Sequence, residues 1–252
     1  VLRFFPPLTY GRDLAVSPDG SRIAFAGLAS GSNWDIYTAN ADGSGLTRLT
    51  TDAASDDQPA WSPNGDQIVF RSSRQGKFDI WIMNADGSEQ VNLTFASVFI
   101  PEEYNTDPTW SPDGQTLLFS RGFGIGQALY KMAPDGSGLT LFLARTGMDL
   151  LEPAWSEDGF IAFRRNERSQ AGGGGIEFVS ASTGDPLYFF WPLPVSAREP
   201  VILDGGWIAV SALVHPESTE PSIGLFNMGN GAVVVPMGPE FGRLVGPVAT
   251  KR

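Results

Sequence analysis

Trp61-Ser62-Pro63-Asn64-Gly65, Trp110-Ser111-Pro112-Asp113-Gly114 and Trp155-Ser156-Glu157-Asp158-Gly159 are copies of one phrase. A fourth copy stands at Val16-Ser17-Pro18-Asp19-Gly20, and a weaker echo at Ile202-Leu203-Asp204-Gly205-Gly206. With the second residue of each as anchor, the copies are spaced 45, 49, 45 and 47 residues apart. A fixed period in this range, with units built from short strands, marks a β-propeller.

The second unit reads most plainly. Gln58–Ser62 forms a first strand, and Pro63-Asn64-Gly65 a tight turn. Gln67–Phe70 forms a second strand, Ser72–Lys77 a polar loop and Asp79–Met83 a third strand. Asn84-Ala85-Asp86-Gly87-Ser88 is another turn, and Val91–Thr94 closes the unit. Proline presets φ, Asp and Asn tolerate a bent backbone, and glycine supplies φ > 0. The first unit repeats this order with Ile23-Ala24-Phe25, Asp35-Ile36-Tyr37 and Asn40-Ala41-Asp42-Gly43-Ser44, and later units follow it. The fold class is therefore all-β, in blades of four strands.

These phrases together resemble the WD-like repeat of TolB-type β-propellers. The resemblance implies a six-bladed TolB-like design: five complete blades, near 13–50, 57–94, 107–143, 152–190 and 199–236, plus an abbreviated sixth. Residues 1–9 and 244–252 are expected to contribute to that closing blade, because six repeats at this period need about 280 residues and the chain has 252. A single domain is expected, and a monomer.

Composition narrows the function. Net charge is −11, with three lysines against fourteen arginines. Such a chain repels phosphate backbones, which disfavours nucleic acid. No apolar run reaches the length that spans a bilayer, and the opening residues are not expected to form a basic-plus-apolar leader. Without cysteine there is no disulfide, thiolate nucleophile or cysteine-bound zinc.

Between units, the Ser-Pro-Asp-Gly and Asn-Ala-Asp-Gly-Ser turns are nearly uniform and read as structural. The loops joining second to third strands, and blade to blade, vary from Ser72–Lys77 to Arg164–Gly175. Varied loops on a rigid scaffold are where binding usually resides. Four residues before each anchor stands Asp13, Gln58, Asp107, Glu152 or Glu199, with Asp57 beside Gln58. These would place a carboxylate-rich ring at the mouth of a propeller channel. One reading is a cation site or a docking ring for a basic peptide; the other is ion pairing with Arg71, Arg121 and Arg164, as Asp107–Arg121 and Glu152–Arg164. Both stay open. The recurring Trp61, Trp110 and Trp155, and the set Tyr37, Trp81, Tyr130 and Phe178, read as packing between blades. Trp34 and Tyr104 fall outside those positions and are expected in variable-face loops, where an aromatic ring anchors a peptide or stacks on a sugar.

Catalytic chemistry has little to stand on. The sole histidine, His215, lacks a Gly-x-Ser-x-Gly elbow and precludes a multi-histidine metal site. Gly122-Phe123-Gly124-Ile125-Gly126 has no following helix and reads as a hairpin loop. Asn92-Leu93-Thr94 fits a glycosylation acceptor but lies in an expected strand. The expectation is a non-enzymatic scaffold without cofactor or metal, binding a protein or peptide partner through Asp13, Asp57, Asp107, Glu152, Glu199, Trp34, Tyr104 and Arg121. The resemblance implies an extracytoplasmic setting, in periplasm or at the cell surface. The alternatives are a carbohydrate-active or carbohydrate-binding propeller, or the accessory propeller of a prolyl-oligopeptidase-like peptidase.

Overall fold

The computed structural model describes residues 8, 10–28, 33–95, 103–123, 126–168, 174–190, 198–203, 207–212, 222–227 and 233–234. Among the described residues, twenty strands form five four-stranded sheets, each from four consecutive strands laid side by side in chain order. The first holds β1 (Tyr10–Val16), β2 (Arg22–Leu28), β3 (Asp35–Asn40) and β4 (Thr47–Arg48). The second holds β5 (Asp56–Trp61), β6 (Gln67–Ser72), β7 (Asp79–Asn84) and β8 (Val91–Asn92). The third holds β9 (Glu103–Trp110), β10 (Leu117–Phe123), β11 (Gln127–Met132) and β12 (Thr140–Leu143). The fourth holds β13 (Met148–Trp155), β14 (Phe160–Glu167), β15 (Gly174–Ser180) and β16 (Pro186–Phe190). The fifth holds β17 (Arg198–Leu203), β18 (Trp207–Ala212), β19 (Ser222–Asn227) and β20 (Val233–Val234). The closing strands expected at 1–9 and 244–252 lie outside the described residues apart from Leu8, as does His215. Among the described residues, no helix is long and apolar enough to cross a membrane.

The repeated phrase is a self-closing turn. Gly20, at φ +70°, donates its N–H to the Ser17 carbonyl at 2.9 Å, while Ser17 Oγ donates to Asp19 Oδ1 at 2.7 Å and accepts the Arg22 N–H at 2.9 Å. Ser62 with Asn64 and Gln67, and Ser111 with Asp113 and Thr116, repeat this bonding. In the second turn type, Asp42 and Asp86 each accept the N–H and the hydroxyl of the serine two residues on. The uniform turns are thus closed by their own side chains.

These bonds favour the ionised acid. The Ser17 hydroxyl, then the Ser21 N–H and hydroxyl, lower the Asp19 carboxyl to about 2. Asp86, Asp113 and Asp135 shift down likewise, each led by a serine hydroxyl. A carboxyl depressed on folding contributes stability above its unfolded value near 3.8, and that contribution is lost as pH falls through the folded value. A carbon-13 carboxyl titration should therefore find Asp19 half-protonated near pH 2; a midpoint near 4 would mean the turn bonds do not form in solution.

The chain divides into two compact units, residues 1–125 with 129–141, and residues 126–128 with 142–252. Within the first, adjacent sheets bury apolar faces against each other. Ala24, Ile36 and Leu49 of the first blade pack with Trp61, Ile68, Phe70 and Met83 of the second. Val69, Ile80 and Ile82 then pack with Trp110, Leu117, Phe119 and Met132. Each Val, Leu, Ile, Phe or Met side chain among these contributes about 1.5–3 kcal/mol when fully buried. In the second unit, Leu150, Phe160, Ile161, Phe163, Ile176 and Phe178 are buried.

The expected aromatic set needs one correction. Tyr37 and Trp81 stand opposite Phe25 and Phe70. In the fourth sheet Glu177 stands opposite the equivalent Phe163, and Phe178 faces Ala162. Phe178 is one residue out of step, and because side chains alternate it points to the other face of its sheet.

Candidate functional site

The expected mouth residues share a backbone device. Every first strand breaks register once: Arg12 pairs with Ala26 and Ala15 with Ala24, Asp57 with Arg71 and Ala60 with Val69. The same slip follows Thr106, Leu151 and Arg198. Three residues advance on the first strand against two on its neighbour, which is a β-bulge. Asp13, Gln58, Asp107 and Glu152 sit in these bulges with φ of 54°, 52°, 54° and 52°, a left-handed conformation uncommon outside glycine. Pro59, Pro108, Pro153 and Pro200 follow four of the five positions. Proline has no N–H, and the interrupted ladder requires none there.

In the first unit the bulges bond to one another. The Gln58 N–H donates to Asp13 Oδ2 at 3.3 Å, the Asp107 N–H donates to Gln58 Oε1 at 2.9 Å, and Gln58 Nε2 donates to Asp107 Oδ1. Asp13, Gln58 and Asp107 are therefore linked in series across three blades. Gln58 and Arg12 were not among the expected site residues. The signal that marks the bulge is the acid-or-amide–Pro pair ahead of each anchor.

Asp57 is almost wholly buried, at 1% exposure. Arg71 grips it through Nε at 2.6 Å and Nη2 at 2.7 Å, and Arg12 donates to Oδ2. Each guanidinium lies over an aromatic ring, Arg12 over Trp34 at 4.2 Å and Arg71 over Phe78 at 4.1 Å. Burial opposes the Arg71 charge, but the Asp57 bonds and the charges of Asp57, Asp107 and Asp13 outweigh it and raise Arg71. Burial likewise pushes the Asp13 carboxyl up, with the Asp57 charge adding and Arg12 and the Gln58 N–H opposing. Trp34, in the segment before β3, has one face covered by Arg12.

The expected ion pairs hold in one case and shift in the other. Arg164 meets Glu152 at 3.1 Å. Arg121 meets Glu103 at 2.9 Å instead of Asp107. Arg71 and Arg164 each follow the recurring Phe70 and Phe163, whereas Ser120 follows Phe119, so Arg121 is one residue further on and on the opposite sheet face. There it is buried near Phe123 and Tyr130. Tyr104 was expected in a loop; it lies in β9 opposite Gly122, where any Cβ on that glycine would overlap its ring. The structure places Asp13, Asp57, Asp107 and Trp34 in one network of the first unit, and Tyr104 and Arg121 elsewhere on the third sheet. Glu199 lies in β17 of the second unit. Asn92 is occupied, donating to Asp79 at 3.1 Å and accepting the Thr94 N–H at 2.9 Å. Among the described residues, no group of three or more His, Asp or Glu side chains is set to hold a metal.

A repeated, self-closing blade with a bulged first strand defines a β-propeller scaffold. The model of the family described as the TolB beta propeller domain matches residues 13–184, and the chain belongs to that family. It is 39% identical over 174 residues to the protein TolB homolog of Chlorobium luteolum, covering 69% of this chain and 35% of that protein. It is 29% identical over 215 residues to the uncharacterized peptidase YuxL of Bacillus subtilis, covering 79% of this chain and 29% of that protein. The crystal structure of TolB from Acinetobacter baumannii superposes with TM-score 0.70 at 16% identity, over 86% of this chain and 52% of that one. Puromycin hydrolase superposes with TM-score 0.66 at 16% identity, over 95% and 38%. At such identities these structures share the fold. The chain spans half or less of the length of the curated relatives it matches.

Proposed function

We propose that this chain is an extracytoplasmic, non-catalytic TolB-like propeller, a monomeric single-domain scaffold that binds a protein or peptide partner at the end carrying the bulges and variable loops. The observation that carries this reading is the contrast between the two sets of connections. Ser-Pro-Asp-Gly and Asn-Ala-Asp-Gly-Ser turns are closed by their own serines and carboxylates. The other set varies in length, and Trp34, with Arg12 over its ring, stands in one of these connections. In this reading Asp13 and the uncovered part of Trp34, with Asp107 in the same network, offer hydrogen-bonding and apolar contact, while Asp57 holds Arg12 in place.

The six-bladed design has its own support. Val16 occupies the repeat position of Trp61 and Trp110, yet is 55% exposed where those two are buried against the preceding blade. A closing blade built with the chain ends would cover it.

An Asp13→Asn/Trp34→Ala variant keeps the bulge, since Asn tolerates left-handed φ. It should fold normally and bind the partner captured from an envelope extract at least about tenfold more weakly. An Asp86→Asn variant in a self-closing turn should bind as the parent does. Equal losses in both, or none in the first, would rule the assignment out. The peptidase relative favours a second reading, the accessory propeller of a larger hydrolase; a hydrolase domain in the same open reading frame would decide for it.

A further inference from the structure

Two equivalent places in the first unit differ in charge. Where the first blade meets the second, Asp35 and Asp56 are buried, and each has its own arginine: Arg48 on Asp35 at 2.6 Å and Arg74 on Asp56 at 2.6 Å. One repeat later Asp79 takes the place of Asp35, and Asn105 that of Asp56. The match is in the backbone: the Asp56 N–H donates to the Trp34 carbonyl and the Asn105 N–H to the Phe78 carbonyl, both at 2.8 Å. Asn92 replaces Arg48 and Phe123 replaces Arg74, so both arginines are gone. A new acid, Glu103, enters where the first place has Ala54, and Arg121 pairs with it at 2.9 Å.

The second place therefore holds two carboxylates and one cation. Asp79 is 0% exposed and Glu103 1%. Asp79 accepts only neutral donors: Thr94 Oγ1 at 3.0 Å, Asn92 Nδ2 at 3.1 Å and Asn105 Nδ2 at 3.4 Å. Asn105, 0% exposed, sits between the acids, its Nδ2 also 3.4 Å from Glu103 Oε1. Both contacts are long. The amide's other atom, Asn105 Oδ1, and Glu103 Oε2 are buried and accept no hydrogen bond. A buried charge without compensation is costly, and proteins supply a counter-charge.

We propose that Asp79, Glu103 and Asn105 form a calcium site between the second and third blades. The ligands would be the Asp79 carboxylate, Glu103 Oε2 and Asn105 Oδ1, all hard oxygens of the kind calcium takes in flexible geometry. Magnesium keeps several waters in a strict octahedron, which so enclosed a place does not favour. The site holds two acids and an amide, which distinguishes it from a cluster of three acidic or histidine ligands.

Asn92→Arg provides the test, because it restores the charge balance of the first interface, where Arg48 reaches Asp35 from the same repeat position. The full chain, stripped of metal, is titrated with calcium chloride at constant ionic strength, following thermal unfolding and terbium luminescence. At a hundred times the dissociation constant, calcium should raise the parent's midpoint by roughly 5–10 °C, and terbium should bind and be displaced by calcium. Sodium and magnesium should leave the midpoint unchanged. Asn92→Arg should fold and lose both responses, and Glu103→Gln should weaken terbium binding at least about tenfold. No calcium response in the parent, an equal response to magnesium or sodium, or a calcium response that survives Asn92→Arg would overturn the proposal.

Discussion

Asp57→Ala should cost about 3–5 kcal/mol in urea unfolding, the range for removing one member of a buried ion pair. The carboxylate is almost wholly buried and held by two arginines. Truncation leaves the Arg71 guanidinium, itself largely enclosed over Phe78, without its bidentate partner. It also releases Arg12, which depends on Asp57 for its position over Trp34. A simple mouth carboxylate would behave differently, since an exposed pair contributes only about 0–1 kcal/mol. Asp13→Asn supplies that comparison within one network and should stay within about 0.5 kcal/mol of the parent. Removing Asp57 and Arg71 together should cost less than the separate losses added, because no charge is then stranded. A loss below about 1 kcal/mol for Asp57→Ala would place Arg71 in solvent and remove the network from the mouth.

The blades were legible in the sequence because Pro, Asp, Asn and Gly act locally: each turn is decided within five residues, and the same bonds recur in Ser17, Ser62 and Ser111. The recurring Trp61 and Trp110 were legible as packing for the same reason of position. Register was less accessible. Arg121 and Phe178 each stand one residue away from the repeat position of Arg71 and Trp81, and in a strand one residue reverses the face. Arg121 thereby exchanged an expected Asp107 for Glu103. In the sequence nothing local distinguishes Asp57 from Asp13; its burial is created by Arg12 and Arg71 arriving from other strands. The charge difference between the Asp35 and Asp79 places was likewise hidden, since it appears only once Asn92, Phe123 and Asn105 are matched to Arg48, Arg74 and Asp56.

Gln58→Val should cost about 3 kcal/mol, from two sources that other variants separate. A β-branched residue at φ of 52° is strained by roughly 1–2 kcal/mol. Losing the amide also strands the Asp107 N–H, whose acceptor at 2.9 Å is Gln58 Oε1, at about 1–3 kcal/mol when water cannot replace it. Gln58→Gly removes the strain and keeps the loss, so it should fall between Val and the parent. Gln58→Asn tolerates the backbone and keeps an amide one methylene shorter, and should cost less than about 1 kcal/mol. Exchange of the Asp107 amide hydrogen should quicken in Val and Gly alike, because it reports the clasp and ignores the strain. Equal stability losses for Val and Gly would mean the backbone conformation carries no penalty. The order Asn, Gly, Val would explain why glycine, the residue best suited to this φ, occupies none of the four left-handed bulge positions. At Asp13 and Gln58 a side chain is needed to bond the next blade, and the modest strain of holding it left-handed is offset by the bond it makes, with proline following Gln58 because the broken ladder asks for no donor.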